Sequence, residues 1–295
     1  MPYLSHHVAT VCTALLFLAL SLVQGGCSPA RHASPAEGAL SLTILHTNDT
    51  HSHIAGINKY GNACFDDTDC RGGLARIATA IRTAKSQNDN VIALDAGDQF
   101  QGTLFYSVNK WPMLAELDQH MPYDAMTLGN HEFDVGDQAV ENSWVNARKN
   151  RLRYGVYRKL PQLLVSNMFI KYNANGEPIS YTSADIRPDD LSTNAFGAGA
   201  YAKTGAKNYA IRQVAGYRVG LFALEGEESY GYCKNSDLTR MDCAEVARVY
   251  ARFLKEEKGC DLVIAISHCG MEEDRATARA QDLQSYYKIV VGFFL

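Results

Sequence analysis

The chain has 295 residues, 46% hydrophobic and 20% charged, with a formal net charge of -4. That composition excludes the disordered and fibrous classes and leaves an ordinary globular core. There is no broad basic footprint for nucleic acid. The Lys/Arg-rich run ARKNRLRYGVYRK at 147–159 reads as a solvated helix face or loop rather than a phosphate or RNA patch.

The first 27 residues stand apart from the rest. VATVCTALLFLALSLVQGGC, 8–27, is an apolar segment closing on small residues. That is the pattern of an export signal, too short and wrongly flanked for a spanning helix. Gly25-Gly26-Cys27 resembles a bacterial lipoprotein cleavage box. Gln24 stands where that box carries an aliphatic residue, and the n-region MPYLSHH has no Lys or Arg. Cys27 is then either a lipidated first residue that attaches the chain to a membrane, or an ordinary residue just past a signal peptidase cut. Residues 28–40 are small, polar and Pro-containing, and read as a tether. Export predicts the periplasm or cell envelope, an oxidising place where cysteines pair.

Of eight cysteines, Cys12 leaves with the signal. Cys64 and Cys70 flank the polar FDDTD and predict a disulfide, with a metal clip as the alternative. Cys233 and Cys243 flank another polar stretch and form a further candidate pair. Cys260 and Cys269 bracket an apolar run and read as buried thiols.

Beyond the tether, apolar runs of strand length recur at 42–46, 91–97, 124–130, 162–167, 217–224, 261–268 and 288–295. Helical periodicity lies between several of them. Leu74, Ile77, Ala78 and Ile81 recur at three and four. Val246, Val249, Tyr250 and Phe253 do the same before a stop at Gly259. Residues 170–210, rich in Gly, Asn, Ser and Tyr, read as a loop-dominated excursion with a hairpin. Strand–helix alternation predicts an α/β architecture with helices on the sheet faces.

Metal-type ligands follow several of these strands. Asp49 and His51 follow the first, Asp98 the second, Asn130 and His131 the third, and His268 ends the sixth. Ligands of α/β sheets bind outside the carboxyl ends of strands, so separate loops deliver oxygen and nitrogen donors to one edge. Taken singly, each residue has a plainer reading. Asp49, Asp98 and Asn130 also suit turns, His51 a surface, His131 a structural position and His268 a core. His46 reads as a hydrogen-bonding support to the ligands. His53 is either another support, a solvent-facing residue or a ligand, while His32 and His120 read as surface.

Together, ILHTNDTHSH (44–53), DAGDQFQGT (95–103), LGNHEFD (128–134) and S-H-x-G (267–270) resemble the calcineurin-like metallophosphoesterases, and within them the 5'-nucleotidase family. The C-x5-C-x-GG run from Cys64 to Gly73 resembles the ecto-5'-nucleotidase and NAD nucleotidase branch. The resemblance covers residues 42 to about 290. It implies a sandwich of two mixed sheets flanked by helices, and hydrolysis of nucleoside 5'-monophosphates to nucleoside and phosphate. It further implies two divalent cations, with Zn, Mn, Co or Fe suited to mixed nitrogen and oxygen donors. Two cations about 3.5–4 Å apart need a bridging anion, and the resemblance puts Asp98 there. Asp49 and His51 complete one metal's set with Asp98, and Asn130 and His268 serve the other. His131, oriented by Asp134, sits beside the phosphate as a cation or general acid, and Asn130 and His131 bind substrate. Gly97 and Gly129 let backbone pass the metals without a Cβ.

The family pattern also has a G-H-x-H after a further strand, one histidine for each metal. Here the corresponding strand KIVVG runs into FFL, and no histidine follows His268. The family's C-terminal nucleotide-binding domain has no counterpart either. The expectation is a metallophosphoesterase domain over 41–295, incomplete at its C-terminus through truncation, frameshift or gene assembly. Alternatives within the family are NAD pyrophosphatase, nucleotide-sugar hydrolase, 2',3'-cyclic phosphodiesterase and thiosulfohydrolase. Outside enzymes, the alternative is a catalytically inactive remnant that binds metal.

Overall fold

The computed structural model describes residues 41–64, 69–153, 160–190, 199–280 and 289–291. The expected export signal, the tether and Cys27 lie outside the described residues, as do parts of the basic run, of the 170–210 excursion and of the last strand.

Near-continuous apolar runs become strands covered on both faces, as parallel strands must be. Val91–Asp95 is buried at every position. Leu262–His268 is buried at all but its first residue. In chain order the strands are β1 Thr43–Thr47, β2 Gly56–Ile57, β3 Ala63–Cys64, β4 Val91–Asp95, β5 Ala125–Met126, β6 Gln162–Leu163, β7 Met168–Ile170, β8 Tyr209–Val214, β9 Tyr217–Glu225, β10 Leu238–Arg240, β11 Leu262–His268 and β12 Ile289–Val291. The α-helices are α1 Leu74–Gln87, α2 Leu104–Leu117, α3 Asp137–Arg153, α4 Glu227–Tyr230, α5 Cys243–Arg252 and α6 Met271–Arg279.

One sheet has the order β1-β4-β5-β6 and is parallel throughout. A second four-stranded sheet has the order β12-β11-β9-β8, with β12, β11 and β9 parallel and β8 antiparallel to β9, and β10-β7 and β2-β3 form two small antiparallel pairs. The β8–β9 hairpin turns through Ala215 and Gly216, both at positive φ (54° and 81°), the geometry that matches strand twist in a two-residue loop.

The two sheets face each other. Ile92 and Leu94 of β4 and Ala125 of β5 meet Leu221 and Ala223 of β9 and Ile264 and Ile266 of β11 in one apolar cluster. Alternate residues point the other way, because side chains change face at every step of a strand. Ala93 thus packs against Leu74, Ala78 and Ile81 of α1. Phe222, Leu224, Val263 and Ala265 pack against Val246, Ala247 and Tyr250 of α5. The layers run helix, sheet, sheet, helix, the expected α/β sandwich. At the end of α5 the chain widens into a π turn over Phe253–Glu257, then turns at Gly259 with φ 63°.

Several elements go beyond the sequence expectation, among them α2, α3 and β8. Helix α2 has Lys110 at φ 55° and Pro112 inside it, so its apolar period breaks mid-helix. Helix α3 is largely polar and carries Lys149 of the basic run outward to solvent. Strand β8 lies at the end of the excursion. The Cys64–Cys70 disulfide forms as expected. The further pairing of Cys233 with Cys243 does not, and both are buried free thiols. Each is held in a different cluster, Cys233 with Trp144 and Leu238, and Cys243, the first residue of α5, with Val246 and Tyr250. Cys260 and Cys269 are buried thiols, as expected. Among the described residues, no helix is long and apolar enough to cross a membrane.

Leu221 is fully buried between the sheets. Truncation to alanine leaves a cavity there, and we expect Leu221→Ala to lose about 2–5 kcal/mol of stability. Urea unfolding midpoints of the two proteins check this.

Candidate metal centre

The carboxyl ends of β1, β4, β5 and β11 come to one edge. A polar contact ties the two sheets there, since His268 Nδ1 lies 2.8 Å from the Ala96 carbonyl just past β4. Donation of Nδ1–H to that oxygen fixes the imidazole so that Nε2 faces Asp98, 3.4 Å from its Oδ2. The same Asp98 Oδ2 lies 3.9 Å from His51 Nε2. Asp98 Oδ1 accepts the His131 backbone N–H at 2.8 Å. Asp49 Oδ1 is 3.6 Å from His51 Nε2, and its other oxygen accepts from Asn48 Nδ2 at 2.6 Å. Ligand atoms of Asp49, Asp98 and His268 lie within 4.8 Å of one another, as do those of His51, Asp98 and His131. Asp98 is common to both groups.

The backbone is strained to achieve this. Asp49, His51 and Asp98 have φ of 50°, 41° and 55°, in the left-handed region that non-glycine residues rarely occupy. Close approach requires glycine beside them. A Cβ on Gly129 would stand 2.7 Å from His268 Nε2, and one on Gly97 would enter the backbone of Leu128 and Gly129. The space a Cβ would fill is kept for the donor atoms.

Glu132 holds the ligand loops in this shape. Its buried carboxylate accepts four backbone N–H groups, from Asp98 (3.0 Å), Gln99 (2.8 Å), Phe100 (3.1 Å) and Gly129 (2.6 Å). Burial pushes Glu132 up to about 7, helped by Asp98, while the N–H donors pull it back. Asn130, buried beside it, has its side-chain amide 3.0 Å from Ser229 Oγ, and that hydroxyl also bonds the Glu225 carboxylate. Glu225 is opposite His268 in the β9–β11 register, and its Oε2 is buried without a hydrogen bond. Burial first of all raises Glu225 to about 8. Sequence reading singled out none of Glu132, Ser229 and Glu225. Glu132 sat in plain view inside the quoted G-N-H-E.

The charges favour a cation. Burial lowers the affinity of His268 for its proton, but Asp98, Glu225 and Asp49 overcome that and push it up to about 10. His51 is raised chiefly by Asp49. Protons are therefore retained where carboxylates crowd together, and a divalent ion taking these mixed oxygen and nitrogen donors would displace them. The donor set, the glycine cradle and the orphaned Glu225 oxygen all fit such an ion.

The structure thus brings together Asp49, His51, Asp98, Asn130, His131 and His268. Asp134 joins them through His131, whose Nδ1 lies 2.7 Å from Asp134 Oδ2. The His131 and His51 rings meet edge to face, 5.1 Å apart. His53 is exposed, its Nδ1 2.9 Å from Thr50 O. His46 is exposed too. His120 lies on the surface.

The profile of the calcineurin-like phosphoesterase family matches residues 42–292. An apyrase of Anopheles gambiae is 27% identical over 96% of this chain and 43% of its own length. The human 5'-nucleotidase is 46% identical over 36% of this chain and 18% of its own length. The crystal structure of a 5'-nucleotidase precursor from Thermus thermophilus superposes with a TM-score of 0.54 at 28% identity, over 81% of this chain and 39% of that one. The chain spans less than half the length of these relatives. With a family profile running from β1 through the last described strand, and its polar positions gathered at one sheet edge, the chain belongs to the calcineurin-like phosphoesterase family.

Proposed function

We propose that this edge hydrolyses nucleoside 5'-monophosphates to nucleoside and phosphate with two divalent cations. The observation that carries the proposal is the position of Asp98. One oxygen of this buried carboxylate, Oδ2, lies 3.4 Å from His268 Nε2 and 3.9 Å from His51 Nε2. In this reading Asp49, His51 and Asp98 would hold one ion, and Asp98, Asn130 and His268 the other, with the closest donor groups joining Asp49 to His268 and His51 to His131 through Asp98. Bound there, the pair supplies Lewis acidity toward phosphoryl oxygens and a hydroxide nucleophile at neutral pH.

The chain's own residues do the remaining work. Asp134 takes the Nδ1 side of His131 and leaves Nε2 to a phosphate or leaving-group oxygen. Asp134 is itself steadied by Gln101 Nε2 at 3.4 Å, while Asn235 Nδ2 donates to its backbone carbonyl at 2.7 Å. Ser229 sets the Asn130 amide. Similarity to the human and Thermus 5'-nucleotidases supports the monoester reading. The long match to the mosquito apyrase supports an apyrase-type activity as a second reading. Export to the periplasm or cell envelope, with lipid on Cys27, belongs to the same proposal and is supported by the apolar leader and the Cys64–Cys70 disulfide.

The test is phosphate release from AMP and, in parallel, ADP by the purified chain with Mn²⁺, Zn²⁺ or Co²⁺. We expect release from AMP that disappears with a chelator and in Asp98→Ala. Release from ADP alone would favour the apyrase-type reading, and no release with any metal would sink both.

Replacing Glu132 by glutamine keeps the shape but removes the charge that four N–H groups share. We expect Glu132→Gln to weaken Mn²⁺ uptake by about 10- to 100-fold, read by calorimetric titration. Unchanged affinity would show that the loops hold themselves.

Glu225 gives a pH dependence. Its value in the folded chain, about 8, lies above its ordinary 4.5. The folded chain therefore keeps a proton that the unfolded chain releases. Its contribution is full below pH 4.5 and is lost as pH rises toward 8. Chelated protein should melt at progressively lower temperature across that range, and Glu225→Gln should flatten the slope.

A further inference from the structure

Cys243 and Cys269 take no part in the proposed chemistry, yet they lie side by side. Their sulfurs are 3.4 Å apart, 26 residues apart in sequence, and both residues are buried. Each is held by a helix start. Cys243 opens α5, whose preceding Asp242 accepts the Glu245 N–H at 2.9 Å. Cys269 follows His268 directly and precedes Gly270, the residue before α6. Two backbones fixed in this way present their thiols to each other. The sulfurs stand 3.4 Å apart, and a disulfide would bring them to roughly 2.05 Å.

A metal is the competing occupant, since Glu273 brings a carboxylate within 4.8 Å of both sulfurs. That carboxylate is already engaged. It accepts the Glu227 backbone N–H at 2.8 Å, and Arg240 Nη1 lies 3.5 Å from its other oxygen and 3.7 Å from Cys243 Sγ. A guanidinium stands against the space a cation would take.

We propose that Cys243 and Cys269 form a second disulfide, which ties the peptide beside His268 to the start of α5. The oxidant is a disulfide, either glutathione disulfide or the oxidised form of a thiol–disulfide oxidoreductase. One cysteine thiolate attacks it and expels a thiolate, giving a mixed disulfide. The second cysteine thiolate attacks its own partner's sulfur, closes the Cys243–Cys269 bond and expels the second thiolate. The pair loses two electrons and two protons, and the oxidant becomes two thiols. Because both sulfurs are buried, the exchange takes place before α5 and α6 close over them.

This linkage stands or falls independently of the metal reading. The full chain is refolded in a glutathione redox buffer, alkylated under denaturing conditions and mapped by mass spectrometry. We expect a linked peptide pair carrying Cys243 and Cys269 beside the Cys64–Cys70 pair, with Cys233 and Cys260 alkylated. The Cys243→Ala/Cys269→Ala double variant should lose the linked pair and melt roughly 5–10 °C lower. Mapping of the unaltered chain decides the matter even if that variant fails to fold. Full alkylation of both cysteines while Cys64–Cys70 remains linked would overturn the proposal. So would stoichiometric Zn²⁺ protecting the two thiols from alkylation, which would make them a thiolate metal site.

Discussion

The ligand edge depends on one buried carboxylate that never needs to touch a metal. Glu132 gathers N–H groups from Asp98, Gln99, Phe100 and Gly129. These amides belong to two loops that each leave a parallel strand and turn before any ladder can satisfy them. Unpaired, each buried N–H would cost about as much as a lost hydrogen bond. One anion satisfies four at once, and so fixes the relative position of the β4 and β5 loops. The strained φ of Asp98 is tolerated because the peptides around it are already tied down.

The second constraint runs between sheets. Asp49, His51, Asp98 and Asn130 all follow strands of one sheet, while His268 ends β11 of the other. The inter-sheet cluster of Ile92, Leu94, Leu221, Ile264 and Ile266 sets the separation. The His268–Ala96 contact then sets the register of the two edges at 2.8 Å. Core packing and ligand geometry are therefore one problem, because close-packed interiors transmit a shift rather than absorb it.

Much of this was legible in the sequence, for a physical reason. Polar donors directly after apolar runs such as VIALDAG or DLVIAISH are expensive unless the strand end uses them. Asp49, His51, Asp98, Asn130, His131 and His268 announced themselves in this way. The supports were silent. Glu132 acts through backbone amides distant in sequence, and backbone partners leave no residue pattern. Glu225 ends β9 and Ser229 lies on the short helix that follows, in a stretch whose composition reads as surface. Helix α2 was hidden by Lys110 and Pro112, which break the period that reveals a helix. The Cys233–Cys243 pairing failed because nearness along a polar stretch is a poor guide when the two residues enter different clusters.

The same geometry links metal affinity to folding. Donors drawn from both sheets exist as a set only when the sandwich is closed, so a cation that bridges them binds the folded state and not the open chain. At 100 times its dissociation constant such an ion adds about 2.7 kcal/mol, comparable to the loss from emptying one core position. The buried acid Glu225, raised by burial to about 8, opposes folding when ionised without a counter-ion. A bound cation would relieve that opposition. A site so rich in carboxylate is thus a liability in the bare fold and an anchor in the loaded one.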